Sequence, residues 1–204
     1  MKKTASLARK PSAASSPAGR VRIIGGQYRR TPIAVADVPG LRPTPDRVRE
    51  TLFNWLAHLL GDFSRLRALD LFAGTGALGF ELASRGASSV TLVECSPRAV
   101  DALRALRQRL DAGAVQVVAA DWRAAVARLA PASLDLIFLD PPFDAGLLLP
   151  ALEACLRLLA PGGLLYAESA QALEGPALAA LGLEIVRADR AGAVHFHLLR
   201  GRVC

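Results

Sequence analysis

Between residues 66 and 199, short apolar runs alternate with stretches of helical periodicity, and this alternation limits the available folds more than any other feature of the chain. The apolar runs fall at residues 68–72, 90–94, 115–119, 134–139, 164–167, 183–188 and 193–199. The helical patterns fall at 77–85, 97–110, 122–129, 148–159 and 172–181. A run such as Leu134-Asp135-Leu136-Ile137-Phe138-Leu139 is too continuously apolar for a sheet that faces water on one side. The pattern therefore predicts an α/β fold, a mostly parallel sheet with helices on both faces. The last two runs are joined by a short link, residues 190–192, too few for a helical crossover, so the final strand is expected to be antiparallel. With 204 residues and 52% hydrophobic content the chain can form one such domain plus an appendage. No apolar stretch approaches the ~18 residues needed to cross a bilayer, and a soluble monomer is expected.

The excess positive charge lies at one end. Residues 1–50 carry eleven Lys and Arg against three Asp and Glu, whereas residues 51–204 carry fourteen against fifteen. A neutral body with a basic arm suggests docking to a polyanion, nucleic acid first. Residues 1–19, rich in Ser, Pro and small side chains, bury too little surface to offset chain entropy and are expected to form a flexible basic tail. Beyond them, Val21-Arg22-Ile23-Ile24, Gly25-Gly26 and Pro32-Ile33-Ala34-Val35 read as a small hairpin that gathers Arg20, Arg22, Arg29 and Arg30. A helix then runs to about Gly61, with Thr44 expected as its N-cap, Pro45 at its first position and Asp46 against its positive end. Val48, Leu52, Trp55, Leu56 and Leu59 form its packing stripe, and Arg47, Glu50 and Asn54 face elsewhere. The three cysteines, Cys95, Cys155 and Cys204, have neither zinc-site nor disulfide-framework spacing. No metal is expected, and Cys95 is read as structural. The first residues do not resemble a secretory signal, so the cytoplasm is the expected compartment.

Chemistry concentrates where runs end. Asp70-Leu71-Phe72-Ala73-Gly74-Thr75-Gly76-Ala77-Leu78-Gly79 leaves the first strand and enters a helix, and Glu94 ends the second strand twenty residues after Gly74. A Gly-rich turn followed by an acid at this distance suits the ribose of NAD or of another adenosine cofactor. Asp70 would repel a pyrophosphate at that turn, while an ammonium would be welcome there, which favours S-adenosylmethionine. Asp70 also fits a plain strand-end acid. Phe72 and Ala73 sit inside this loop and are expected to pack. Asp121 follows the third strand and suits either the adenine amino group or the N-cap of the next helix. Alternation along a strand accounts for His195 and His197.

Asp140-Pro141-Pro142-Phe143, directly after residues 134–139, is the most specific feature. Two prolines stiffen the backbone at the sheet edge where open α/β folds bind ligands, and a carboxylate, carbonyls and an aromatic face converge there. These groups suit the exocyclic amine of a base. Its nitrogen lone pair is delocalised into the ring until acceptors such as Asp140 and the Pro141 carbonyl polarise the N–H groups, while Phe143 stacks on the ring.

Taken together, Arg22-Ile23-Ile24-Gly25-Gly26, Arg42-Pro43-Thr44, Arg47-Val48-Arg49-Glu50-Thr51-Leu52-Phe53-Asn54, the Asp70 to Gly76 loop and Asp140 to Phe143 resemble the bacterial 16S ribosomal RNA guanine-N2 methyltransferases, a family of class I S-adenosylmethionine-dependent enzymes. The resemblance spans residue 20 to about 199. It implies a Rossmann-like fold with a seven-stranded sheet, its last strand inserted antiparallel. The implied activity is methylation of a guanine N2 in 16S rRNA within an assembled or assembling small subunit. It also implies that Thr44, Arg47 and Glu50 close the methionine end of the cofactor pocket, with Asp70, Phe72, Ala73, Gly74, Thr75, Gly76, Glu94, Asp121 and Asp140 around the rest, and that Asp140 to Phe143 hold the guanine. Residues 20–61 are then a docking and lid segment and 62–204 the catalytic domain. Arg20, Arg22, Arg29, Arg30 and Arg42 are the candidates for RNA phosphates. Competing readings are a DNA adenine-N6 or cytosine-N4 methyltransferase, a protein-glutamine methyltransferase, a dinucleotide oxidoreductase and a non-catalytic ribosome assembly factor.

Overall fold

The computed structural model describes residues 21–36, 38 and 44–202. The expected tail, Arg20, Arg42 and Cys204 lie outside the described residues. The main sheet is built from β3 (Arg67–Asp70), β4 (Ser89–Glu94), β5 (Val115–Ala119), β6 (Leu134–Leu139), β7 (Leu159–Ser169), β8 (Leu183–Ala191) and β9 (Val194–Gly201), preceded by a short ladder of β1 (Val21–Arg22) and β2 (Pro32–Ile33). In the seven-stranded sheet the order is β5-β4-β3-β6-β7-β9-β8. β3 to β7 pair in parallel, while β9 enters between β7 and β8 and runs antiparallel to both. The short link after β8 dictates this hairpin, as expected from the sequence.

Helices cover both faces. On one lie α1 (Asp46–Leu60), α2 (Ala77–Ser84) and α3 (Pro97–Leu110), and on the other α4 (Trp122–Arg128), α5 (Leu148–Leu156) and α6 (Gly175–Ala180). The run in β6 shows why its sequence is almost unbroken. Leu136 and Phe138 enter the core beneath α1, and Leu134, Ile137 and Leu139 enter the core beneath α4 and α5.

The N-terminal segment shares the first of these cores. Val21, Ile23, Ile33, Val48, Leu52, Phe53 and Leu56 are buried with Phe138, Tyr166 and Phe196, and Trp55 stacks on Phe196 with ring centroids 5.3 Å apart. A polar clamp complements this packing. Arg49, fully buried, donates to the carbonyls of Thr44 and Arg22, pairs with Asp46 at 2.6 Å and lies 3.6 Å from the buried Glu81. Glu81 in turn accepts from the backbone N–H groups of Ile24 and Gly25 at 2.6 and 2.8 Å and pairs with Arg85. The clamp thus ties β1, α1 and α2 together.

Several boundaries differ from expectation. Thr44 is not the cap of α1: Pro45 holds that position, with φ −57° and ψ 149°, and the Thr44 hydroxyl turns instead to Asp140. α5 ends at Leu156 rather than 159, because Arg157 and Leu158 form a turn and Leu159 pairs with Leu134 at the start of β7. α6 begins at Gly175 rather than 172, since Pro176 suits only the first turn of a helix.

Candidate active site

Four of the five parallel strands end at acids along one edge of the sheet. Asp70 ends β3, Glu94 ends β4, Asp140 follows β6 and Glu168 is the penultimate residue of β7. Side chains alternate along a strand, and each acid has the parity of residues that enter the core beneath α1 to α3: Ala68, Leu92, Phe138 and Tyr166. Four carboxyls are thereby brought to one face and one edge.

Asp70 lies under the Gly-rich turn, 2% exposed, and accepts a hydrogen bond from the Gly79 N–H at 3.1 Å in the first turn of α2. Burial pushes its pKa up to about 7; the Gly79 bond opposes the shift, and the neighbouring Asp140 and Glu94 add to it. The turn is drawn in by its own backbone, with Ala73 N–H bonding Val93 O and Gly76 N–H bonding Ala73 O. Gly76 has φ +76°, and a Cβ there would lie 2.6 Å from Leu103 and 2.7 Å from Phe80, so this position requires glycine. Thr75 is buried beside it, Ala73 is buried, and Phe72 packs against Trp122, as expected.

Glu94 accepts from Gly74 N–H at 2.8 Å through one carboxyl oxygen and from Cys95 and Ser96 N–H through the other. It therefore fixes the Gly-rich turn relative to the start of α3. Beside it opens a cavity of about 240 Å³, lined by Cys95, Pro97, Val100, Ala120 and Asp121 among others. Asp121 does cap α4, accepting from Arg123 N–H at 2.8 Å, while its residue also lines this cavity, so both roles expected of it are compatible.

Asp140 is half-buried and accepts from the Thr44 hydroxyl at 3.3 Å. Pro141 is buried, Pro142 exposed and Phe143 begins a single turn of 3-10 helix, Phe143–Ala145. A second cavity of about 260 Å³ opens here, between Pro141 to Phe143, the start of α5, and Glu168. Sequence reasoning missed Glu168. It is 2% exposed, accepts from the Tyr166 hydroxyl at 2.9 Å, and has its pKa raised well above the usual carboxylate range by burial and then by Asp140, against the hydrogen bonds of Tyr166 and Thr44. An acid ending an apolar strand was the available signal, the one that marks Asp70, Glu94 and Asp140. Arg49 and Glu81 were missed too, although each is a charge set within an apolar helical stripe.

Arg47 and Glu50 are exposed on the first turns of α1, near Thr44. Arg29 and Arg30 are exposed at the tip of the N-terminal hairpin, and Arg22 lies 3.4 Å from Asp46.

The family described as Conserved hypothetical protein 95 matches residues 21–200. Ribosomal RNA small subunit methyltransferase D of Escherichia coli (strain K12) is 43% identical over 160 residues, covering 76% of this chain and 77% of that protein. The chain belongs to this family. Another member of the small subunit methyltransferase D family, from Haemophilus influenzae, is 37% identical over 156 residues, 74% of this chain and 79% of its own. The solved structure of the Escherichia coli protein yhhF superposes with a TM-score of 0.75 at 36% identity, covering 91% of this chain and all of that one. A hypothetical protein of Thermus thermophilus superposes with a TM-score of 0.73 at 31% identity, covering 90% of this chain and 99% of that one. The family match takes in the N-terminal hairpin and α1 together with the sheet, so the clamp built on Arg49 and Glu81 falls inside it.

Proposed function

We propose that this protein transfers a methyl group from S-adenosylmethionine to the exocyclic N2 of a guanine in 16S rRNA of the small ribosomal subunit. The observation that carries this reading is Asp140 at the C-terminal edge of β6, held by Thr44 and followed by the stiff Pro141-Pro142-Phe143 wall of a cavity. The relatives named above as ribosomal RNA small subunit methyltransferases support the substrate class.

The residues fit the methyl donor. The Gly-rich turn and Asp70 provide an acidic cradle, Glu94 at the end of β4 is assigned to the ribose hydroxyls, and the 240 Å³ cavity beside Asp121 has room and a carboxylate for an adenine amino group. Thr44, which donates to Asp140, and the exposed Arg47 and Glu50 that follow it are assigned to covering the methionine end. When bound, the donor supplies an electrophilic methyl on a positively charged sulfur that leaves as a neutral thioether, so no metal is called for.

Asp140 and the Pro141 carbonyl accept the two amine hydrogens and localise the nitrogen lone pair, while Phe143 stacks on the base and aligns the amine for in-line attack. As the N–C bond forms, N2 becomes cationic and Asp140 is placed to take the proton it sheds. Arg22, Arg29 and Arg30 are assigned to phosphates flanking the target, with Arg20 and Arg42 in the same role outside the described residues.

The test is to incubate the protein with labelled donor and small subunits from cells lacking the enzyme, then digest the RNA. N2-methylguanosine is expected, and Asp140→Ala should abolish it while still binding the donor. Label appearing only in DNA or protein acceptors, or full activity of the variant, would overturn the reading.

A further inference from the structure

The cavity behind Pro141 to Phe143 is bordered by a residue whose buried ionisable group the transfer step leaves unused. Glu168 lines it, 2% exposed, one position beyond the last β6–β7 pair, Leu139 with Ala167. Asp140 is also one residue past that pair, so the two acids end neighbouring strands and share a face. Adjacent strands lie about 4.8 Å apart, a span that two side-by-side hydrogen bonds from one ring edge can bridge. The Thr44 hydroxyl donates to Asp140 at 3.3 Å, and the Tyr166 hydroxyl fixes Oε1 of Glu168 at 2.9 Å. A rigid carboxyl held this way, next to the group that holds the amine, recognises whatever sits beside the amine on the ring.

We propose that Glu168 accepts the hydrogen bond of guanine N1–H while Asp140 holds N2, and so selects guanine over every other base that carries an exocyclic amine. The inference rests on the guanine-N2 reading above and adds to it the residue that makes the choice. Next to its amine, guanine presents a second donor, N1–H. Adenine and cytosine present a bare ring nitrogen, an acceptor, at the corresponding place. A carboxylate offers acceptors only, so it pairs with guanine and meets a lone pair in the other two. Burial and the proximity of Asp140 disfavour the charged form of Glu168, and a donor brought by the base offsets that cost, as hydrogen bonding to a carboxylate does in general. Sites that lose a buried hydrogen-bond partner on binding the wrong substrate discriminate far more strongly than sites that sense only shape.

The experiment uses the full-length protein and small subunits reconstituted on 16S RNA in which ligation has placed either guanosine or 2,6-diaminopurine at the position found methylated. Both bases carry the C2 amine, but diaminopurine has an unprotonated N1. The wild-type protein should methylate the guanosine subunits with a kcat/KM about 1000-fold above the diaminopurine subunits. In Glu168→Gln, whose amide offers a donor as well as an acceptor, the preference should shrink to about tenfold or less. A ratio measured on one preparation does not depend on the fraction folded, and donor binding by the variant is measured alongside it. Equal methylation of both substrates by the wild type would overturn the proposal without any variant. A Gln variant that keeps the full preference would overturn it, as would one that binds the donor yet methylates neither base, which would assign Glu168 to the transfer itself. If the wild type methylates RNA at an atom other than N2, the guanine-N2 reading fails, and this failure is distinct from loss of base selection.

Discussion

Asp70 and Glu168 are carboxyls that the fold keeps out of water, and each has its pKa raised above its unfolded value by burial first. A raised carboxyl stabilises the fold fully below its unfolded pKa and loses that contribution as pH rises through the folded one. For Asp70 this window runs from about 4 to about 7. Protein without donor should therefore melt at lower temperature at about pH 8 than at about pH 5, and Asp70→Asn should flatten this slope, with an upper limit of about 4 kcal/mol for its share. Calorimetry across that range decides it; an unchanged slope in the variant would remove Asp70 as the cause. A cationic donor favours the ionised carboxylate, so its affinity is expected to rise over the same window in the wild type and to lose that dependence in Asp70→Asn. Arg49 poses the opposite case, a buried charge whose partners are all in place. Arg49→Met leaves Glu81 with Arg85 and the Ile24 and Gly25 amides, so the loss should sit near the low end for a broken buried pair, about 3 kcal/mol or roughly 6–12 °C in Tm. Asp70 and Asp140 were legible in the sequence because each sits at a strand end next to a diagnostic loop. Glu168 was not, because its loop carries no motif and only the neighbouring strand gives its position meaning.

Among the elements, the N-terminal hairpin is small, two paired positions in its ladder, and owes its place to α2 rather than to its own strands. Gln27 and Tyr28 donate their backbone N–H groups to the Ser84 carbonyl and hydroxyl, and Ser84 donates to Gly25 O. Gly26, at φ +75°, passes so close that a Cβ would lie 1.8 Å from the Ser84 carbonyl oxygen. Gly26→Ala should therefore detach the hairpin, at a cost of about 2 kcal/mol or more. Limited proteolysis should then cut within residues 21–36 while the sheet remains resistant; a variant as resistant as the wild type would show that the contact can relax. The apolar residues of the segment expected to dock and cover the site, 20–61, pack into the core under α1 to α3, as the helix stripe of the sequence requires. The α1 cap was misplaced by one residue because Thr44 and Pro45 both carry start signals, and only the proximity of Asp140 decides what the Thr44 hydroxyl does.

Across the whole molecule, the proposed function divides the work between the basic surface and the carboxyl-lined edge. Arg29 and Arg30 project from the hairpin tip, while the acids sit at the C-terminal ends of the strands, where phosphates are disfavoured and an amine or a cation is not. Replacing both arginines, Arg29→Glu with Arg30→Glu, should weaken RNA binding and flatten the slope of log K against log salt by about 1.4, with donor affinity unchanged. Equal loss of both affinities would point to misfolding. Among the described residues no helix is long and apolar enough to cross a membrane.

The sequence by itself determined the order of the elements, the two-faced burial of the sheet, the antiparallel last strand and the two loops to which the proposal assigns chemistry. All of these follow from local rules: period two or 3.6 along the chain, the number of residues a crossover needs, and what Gly and Pro permit. Only the tertiary structure decided that Arg49 and Glu81 meet in the core, that Thr44 reaches Asp140, and that Glu168 stands beside it. These contacts join residues 32, 96 and 28 positions apart, and pairings over such distances are chosen by how helices seat on a sheet. No pattern in a single chain encodes that seating, whereas a buried charge reveals its partner as soon as the two faces close.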